Sequence, residues 1–122
     1  MNTILWFIQV ILAALFTVTG IIQIIIPKEK LISLGLKWVL RIPLSSVRFI
    51  GLMELLGALG LVLPMLININ PLLIPFSAIG LLLIMIFASY HHYRYSENNA
   101  IIFNIVIMVF SAIIAIGRFL GL

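Results

Sequence analysis

Residues 4–26 read ILWFIQVILAALFTVTGIIQIII, an apolar stretch without a charged side chain. A helix needs about 20 apolar residues to cross the ~30 Å hydrocarbon core of a bilayer, so this stretch predicts a membrane span that ends at Pro27. It is longer than the apolar run of about 7–15 residues in a signal peptide, and it lacks a basic segment before it. We therefore expect the span to be retained in the mature protein.

The whole chain has the composition of an integral membrane protein. Of its 122 residues, 65% are hydrophobic and 8% are charged, and the mean hydropathy is +1.38. Soluble domains carry about 25% charged residues. The net charge of +4 is too small for a nucleic-acid interface, and the basic residues are not interleaved with base-stacking aromatics on a polar surface. The absence of cysteine excludes thiolate metal sites and dithiol redox chemistry, and we expect no metal site.

Three further apolar stretches predict additional spans: residues 46–66, 71–90 and 100–119. The connections are short, so neighbouring spans should be antiparallel, which predicts an all-α membrane four-helix bundle forming one domain over residues 1–122. Between the first two spans, Lys30, Lys37 and Arg41 recur at helical spacing among apolar residues. This pattern predicts a short basic amphipathic helix that lies in the membrane interface.

The basic residues are concentrated on one side of the predicted bundle. That side carries Lys28, Lys30, Lys37, Arg41, Arg48 and Arg94. Only Arg118 falls on the other side. Because basic loops remain cytoplasmic, we expect residues 27–45 and 91–99 on the inner face of the cell membrane and both termini outside.

Glu54 is the one acidic residue inside a predicted span. An ionisable group in lipid costs several kcal/mol and usually faces the bundle interior, so Glu54 is a candidate functional or fold-specifying residue; the alternative is a buried packing residue. Gln23, His91 and Asn104 lie in the same half of the bundle and are its candidate partners. Arg118 lies roughly 15 Å out of register at 1.5 Å per residue, so we expect no pair with Glu54.

Small and polar residues near Glu54 give further expectations. The glycines expected to allow close helix packing are Gly51, Gly57 and Gly60. Glu97 is expected to pair with Arg94 or to favour the N-terminus of the fourth span through the helix dipole. His91 and His92 point about 100° apart on a helix, which argues against a metal or haem site formed by the pair.

These residues together resemble the DoxX-like family of small four-span membrane proteins. The resemblance is carried by Gly51, Glu54, Gly57, Gly60, Leu61 and Pro64, and then by His91, Glu97, Asn104 and Arg118. It covers most of the chain and departs at Gln23, where the family frequently has a lysine. The resemblance implies a four-helix bundle. Some members are described as the membrane subunit of thiosulfate:quinone oxidoreductase, and others as partners or assembly factors of membrane oxidoreductases.

Three functions are consistent with these residues, and the sequence leaves open whether the chain is catalytic. The first is an accessory or scaffold subunit that assembles with a protein partner or as a homo-oligomer, and its basic segment docks anionic lipid or an acidic partner. The second is a quinone-handling subunit, with Glu54, His91 and Asn104 around the head group and electrons supplied by another subunit. The third is a small permeation or lipid-handling protein. A quinone is the one candidate cofactor.

Overall fold

The structure is a computed structural model that describes residues 2–122, which form helices joined by short turns. The elements are α1 (Asn2–Ile25), α2 (Lys28–Ser33), a 3₁₀ turn (Lys37–Leu40), α3 (Leu44–Leu66), α4 (Leu73–Arg94) and α5 (Asn98–Phe119). The helices α1, α3, α4 and α5 are each long and apolar enough to cross a membrane. The predicted all-helical four-span fold is therefore confirmed. The largest difference is in α4, which continues through both histidines to Arg94 instead of ending at residue 90.

The outer surface of the bundle is apolar and its interior holds polar side chains. Phe7, Val18, Leu56, Phe87 and Ile102 point outward and are 51–72% exposed. Soluble proteins rarely expose continuous apolar surface on this scale, whereas lipid-facing helices require it. The buried polar side chains are Gln9, Gln23, Glu54, Asn104 and Ser111. This distribution is that of a multi-pass membrane protein.

Two closely packed helix pairs make up the bundle. The helix α1 packs along α3, and α4 packs along α5, while α1 and α5 touch only briefly. At the α1–α3 crossing, a Cβ atom added at Gly51 would lie 2.8 Å from the backbone oxygen of Gly20. Gly57 and Gly60 of α3 lie against Leu81 and Ser77 of α4. Small residues thus set the distance between helices on both sides of α3.

Residues 26–43, here called the connecting segment, form two short helices instead of one. The chain turns at Gly35, whose φ of +96° lies in the left-handed region that favours glycine. Leu31 and Val39 are fully buried, whereas Lys30 and Lys37 are exposed, so the segment is amphipathic as predicted but divided. It packs on one end of the bundle, which we call the basic end.

Arginine side chains tie the helices together at both ends. At the basic end, Nη1 of Arg48 donates to the backbone oxygens of Gln23, at 2.8 Å, and Ile26, at 2.6 Å. These bonds satisfy carbonyl groups that the end of α1 leaves free. At the opposite end, Nε of Arg118 donates to Oε1 of Gln9 at 2.6 Å. Arg118 therefore lies away from Glu54, as its register predicts.

Candidate functional site

A cavity of about 520 Å³ lies between the two helix pairs at the basic end. All four long helices line it, and residues 35–38 of the connecting segment cover it. Its apolar walls include Phe16, Ile50, Met85, Phe103 and Ile107. Its polar lining includes Thr19, Gln23, Glu54, His91 and Asn104. The volume falls within the range of roughly 300–1,000 Å³ that small-molecule sites occupy.

Glu54 projects from α3 and is held by two side chains of α1. Nε2 of Gln23 donates to Oε2 of Glu54 at 3.1 Å and to Oε1 at 3.5 Å. Oγ1 of Thr19 donates to Oε2 at 3.3 Å. Thr19 and Gln23 are four residues apart, so they lie one above the other on the same helix face. All three contacts are longer than the ~2.7–2.9 Å typical of hydrogen bonds to a carboxylate, so Glu54 is enclosed but weakly bound.

Two further polar groups at the cavity lack partners. Oε1 of Gln23 is buried and accepts no hydrogen bond from any residue in the range 2–122. Asn104 lines the cavity from α5 and is only 7% exposed. Its side-chain amide makes no hydrogen bond with the part of the chain that the structure describes. Buried polar groups are normally paired, so these groups mark a site with unused hydrogen-bonding capacity.

His91 lies at the basic end of the cavity and contacts the connecting segment. Nη1 of Arg41 donates to Nε2 of His91 at 3.2 Å. The same Nη1 atom donates to Oε1 of Glu97 at 2.7 Å, and Nδ1 of His92 donates to that oxygen at 3.0 Å. The Arg41 guanidinium lies 3.9 Å from the centre of the Tyr95 ring. We call these five residues the Arg41 network.

The Arg41 network corrects the predicted pairing of Glu97. Glu97 binds Arg41 and His92, and not its sequence neighbour Arg94. The hydrogen bonds from Arg41 and then His92 lower the pKa of Glu97 to about 2. Because Arg41 belongs to the connecting segment and Glu97 to the α4–α5 turn, this ion pair holds the cover of the cavity against the bundle.

The structure thus brings the four predicted site residues to one cavity, though in different ways. Of the three predicted partners of Glu54, only Gln23 hydrogen-bonds to it; Asn104 lies in the α5 wall, and His91 bonds to Arg41 instead. Thr19 was not among the predicted site residues, although its spacing of four residues from Gln23 was a usable signal. Trp38 of the connecting segment also lines the cavity and was not predicted as a site residue.

Fold and site together define a small four-span membrane protein with a buried carboxyl group beside a covered cavity. The sequence profile of the DoxX-like family matches residues 7–114, so the chain belongs to the DoxX-like family. The matched stretch includes all four predicted site residues and ends before Arg118. No curated protein and no solved structure matches the chain significantly.

Proposed function

We propose that this protein is a membrane subunit that binds the head group of an isoprenoid quinone in the cavity at the basic end. The observation that carries the proposal is a largely apolar cavity with a carboxyl group and an unpaired amide in its walls. A scaffold that only docks another protein has no need of such a site. In this role the chain supplies the binding site, and a partner subunit exchanges electrons with the quinone.

The lining fits the chemistry of a quinone head group. Phe16, Met85 and Phe103 offer the aromatic and thioether surfaces that pack well against a flat ring. Glu54 and Asn104 provide a small number of polar contacts that would orient it. A bound quinone supplies two-electron chemistry in which each oxygen gains or loses a proton.

Glu54 and His91 are the groups placed to transfer the protons that accompany reduction or oxidation of the quinone. A carboxyl group within reach of a quinone oxygen can accept or donate the proton that accompanies electron transfer. His91 lies between the cavity and the polar groups of the basic end, where it bonds to Arg41. The two residues are therefore the candidate proton-handling groups of this site.

Fluorescence of Trp38 can test the proposal, because Trp38 lines the cavity. The chain has two tryptophans, so Trp6→Phe leaves Trp38 as the only one. We expect a short-chain benzoquinone to quench this emission saturably in lipid nanodiscs. Ala88→Phe adds bulk inside the cavity and should abolish the saturable component.

The matched control is Ala14→Phe, which adds the same bulk on α1 at an exposed position outside this cavity. It should leave quenching intact. If quenching is only linear in quinone concentration, or if Ala14→Phe and Ala88→Phe reduce it equally, the cavity is not a quinone site.

A docking role is the second candidate function, favoured by the exposed lysines of the connecting segment. Lys30 and Lys37 are exposed on the outer side of this segment. Two like charges on an ordered surface suit an acidic protein partner or anionic lipid. Lys30→Glu, at a position outside the cavity lining, should weaken binding of an acidic partner in mild detergent while leaving quinone binding unchanged.

A further inference from the structure

When Glu54 is ionised, the corner of the cavity around it has more hydrogen-bond acceptors than donors. An ionised carboxylate offers about four acceptor positions on its two oxygens. Only the amide of Gln23 and the hydroxyl of Thr19 donate to them, at 3.1–3.5 Å. The Thr19 hydroxyl is also 3.4 Å from the backbone oxygen of Phe16, so its single hydrogen is shared. Oε1 of Gln23 is a further acceptor without a donor from residues 2–122.

This imbalance has a consequence for any ligand. A buried acceptor without a donor costs free energy, and the cost is greater for a charged group in a low-dielectric site. A head group that brings a hydroxyl donor to Glu54 removes part of that cost. A head group that presents only carbonyl oxygens places its lone pairs against the carboxylate and leaves the corner short of donors.

We propose that Glu54 is ionised in this cavity, that the cavity therefore selects head groups that carry a hydroxyl donor, and that it binds a hydroquinone in preference to the oxidised quinone. In this arrangement a hydroxyl of the ligand donates to the carboxylate of Glu54, and its oxygen at the far side of the ring meets the amide of Asn104. Glu54 is 5% exposed and Asn104 is 7% exposed, so both contacts are shielded from water. The inference rests on the proposed function, because it specifies which form of the quinone the same site prefers.

The amide of Asn104 does not itself select the redox form. An amide has both donor and acceptor atoms, so it can bond to a hydroxyl or to a carbonyl. Glu54 is different, since an ionised carboxylate only accepts. The preference is therefore assigned to Glu54, and Asn104 contributes affinity for either form.

The test compares three short-chain ligands by isothermal titration calorimetry on the wild-type chain in nanodiscs: a hydroquinone, the quinone of the same size, and the dimethyl ether of the hydroquinone, which has no donor. The hydroquinone should bind about tenfold or more tightly than either of the others, the effect of one hydrogen bond to a charged group. Glu54→Gln introduces an amide donor and should reduce the ratio of dissociation constants to near one.

Two other variants separate loss of the acceptor from general disturbance of the site. Thr19→Val removes a donor to Glu54 but keeps the carboxylate, so the hydroquinone preference should persist or increase. Glu29→Gln removes a carboxylate on exposed α2 and should change nothing. Asn104→Leu should weaken the hydroquinone and the quinone to a similar extent.

The outcomes distinguish this inference from the proposed function. If none of the three ligands binds, both are overturned. If all bind with equal affinity, or if the quinone binds more tightly than the hydroquinone, the cavity is a quinone site but the donor preference is wrong. These comparisons are made on the wild-type chain, so they decide the question even where Glu54→Gln fails to fold.

Discussion

The charged side chains inside the bundle are each held by groups from another helix. Glu54 of α3 binds Thr19 and Gln23 of α1, and Arg118 of α5 binds Gln9 of α1. Charges in a membrane span are tolerated when they face the interior and find polar partners. Glu54 and Arg118 differ in the lengths of these hydrogen bonds. Arg118 has a short bond of 2.6 Å, whereas the bonds to Glu54 are long, which leaves Glu54 available to a ligand.

At the residue scale, Glu97→Gln should weaken attachment of the connecting segment in a pH-dependent way. Because the pKa of Glu97 is lowered to about 2, the ion pair with Arg41 contributes fully above the unfolded pKa of about 4.3. That contribution is lost as the pH falls towards 2. We expect the Tm of Glu97→Gln to be lower than that of wild type by a few degrees at most at pH 7, and equal to it near pH 2.

Thermal unfolding in nanodiscs at the two pH values measures this difference. Glu29→Gln is the matched control, because it removes a carboxylate on the same end of the bundle outside the Arg41 network. If the difference in Tm between Glu97→Gln and wild type persists unchanged at low pH, the ion pair is not the cause of that difference.

Single glycines set the spacing of whole helices. The α1–α3 pair meets where Gly20 and Gly51 face each other, and the obstacle that a side chain would meet there is backbone. Backbone atoms cannot move aside as the end of a flexible side chain can, so this crossing tolerates little added volume. The same crossing places Gln23 within reach of Glu54, so helix spacing and site geometry depend on one contact.

At the element scale, Gly51→Ala should destabilise the bundle by about 1–3 kcal/mol, the usual cost of overpacking a closely packed contact. The added Cβ would lie 2.8 Å from the backbone oxygen of Gly20 and 2.8 Å from Cβ of Gln23. Gly80→Ala adds the same methyl group to α4, where nothing lies within 4 Å, and should be neutral or stabilising. Unfolding in mixed detergent and SDS micelles compares the two, and equal effects would contradict the packing argument.

The molecule as a whole is polarised along the bundle axis. The connecting segment, the Arg41 network and the cavity all lie at the basic end, while both chain termini and the α3–α4 turn lie at the other. Any ligand or partner that uses the cavity therefore meets one particular face of the membrane. Whether this face is the inner or the outer one depends on the side of the membrane on which the basic residues remain.

At the scale of the whole molecule, we expect the basic end to face the cytoplasm. The chain contains no cysteine, so Ser33→Cys and Leu122→Cys each provide a single thiol at an exposed position on opposite ends. A membrane-impermeant maleimide should label Leu122→Cys in intact spheroplasts and Ser33→Cys only in inverted vesicles. The reverse pattern would place the basic end outside.

The fold was predictable because its signals are local. Four apolar stretches, each separated by prolines or polar turns, give the four spans directly. The connecting segment was harder, since periodicity alone predicted one helix and the break at Gly35 depends on a backbone angle that glycine permits but does not require. The continuation of α4 beyond residue 90 was missed because polar residues at a span end also suit a turn.

The site was only partly predictable because its contacts are distant in sequence. Glu54 stood out as the one acid in a span, and depth in the membrane alone suggested Gln23, His91 and Asn104 as its partners. Depth does not determine which side chain lies across the interface, so Thr19 was missed. Glu97 was expected to pair with its neighbour Arg94 or to interact with the helix dipole of the fourth span, whereas its partner Arg41 lies 56 positions earlier, a distance that no local pattern reports.

The separation of Arg41 and Glu97 along the chain also has a consequence for biogenesis. A ribosome completes the connecting segment early, but Glu97 emerges only after α3 and α4 have been synthesised. Until then Arg41 has neither its carboxylate nor Tyr95 to bind, and the segment lacks this attachment. The ion pair is therefore a late-forming contact that distinguishes a completed bundle from a truncated one. Limited proteolysis within residues 28–41 of chains ending before residue 95 would report this difference.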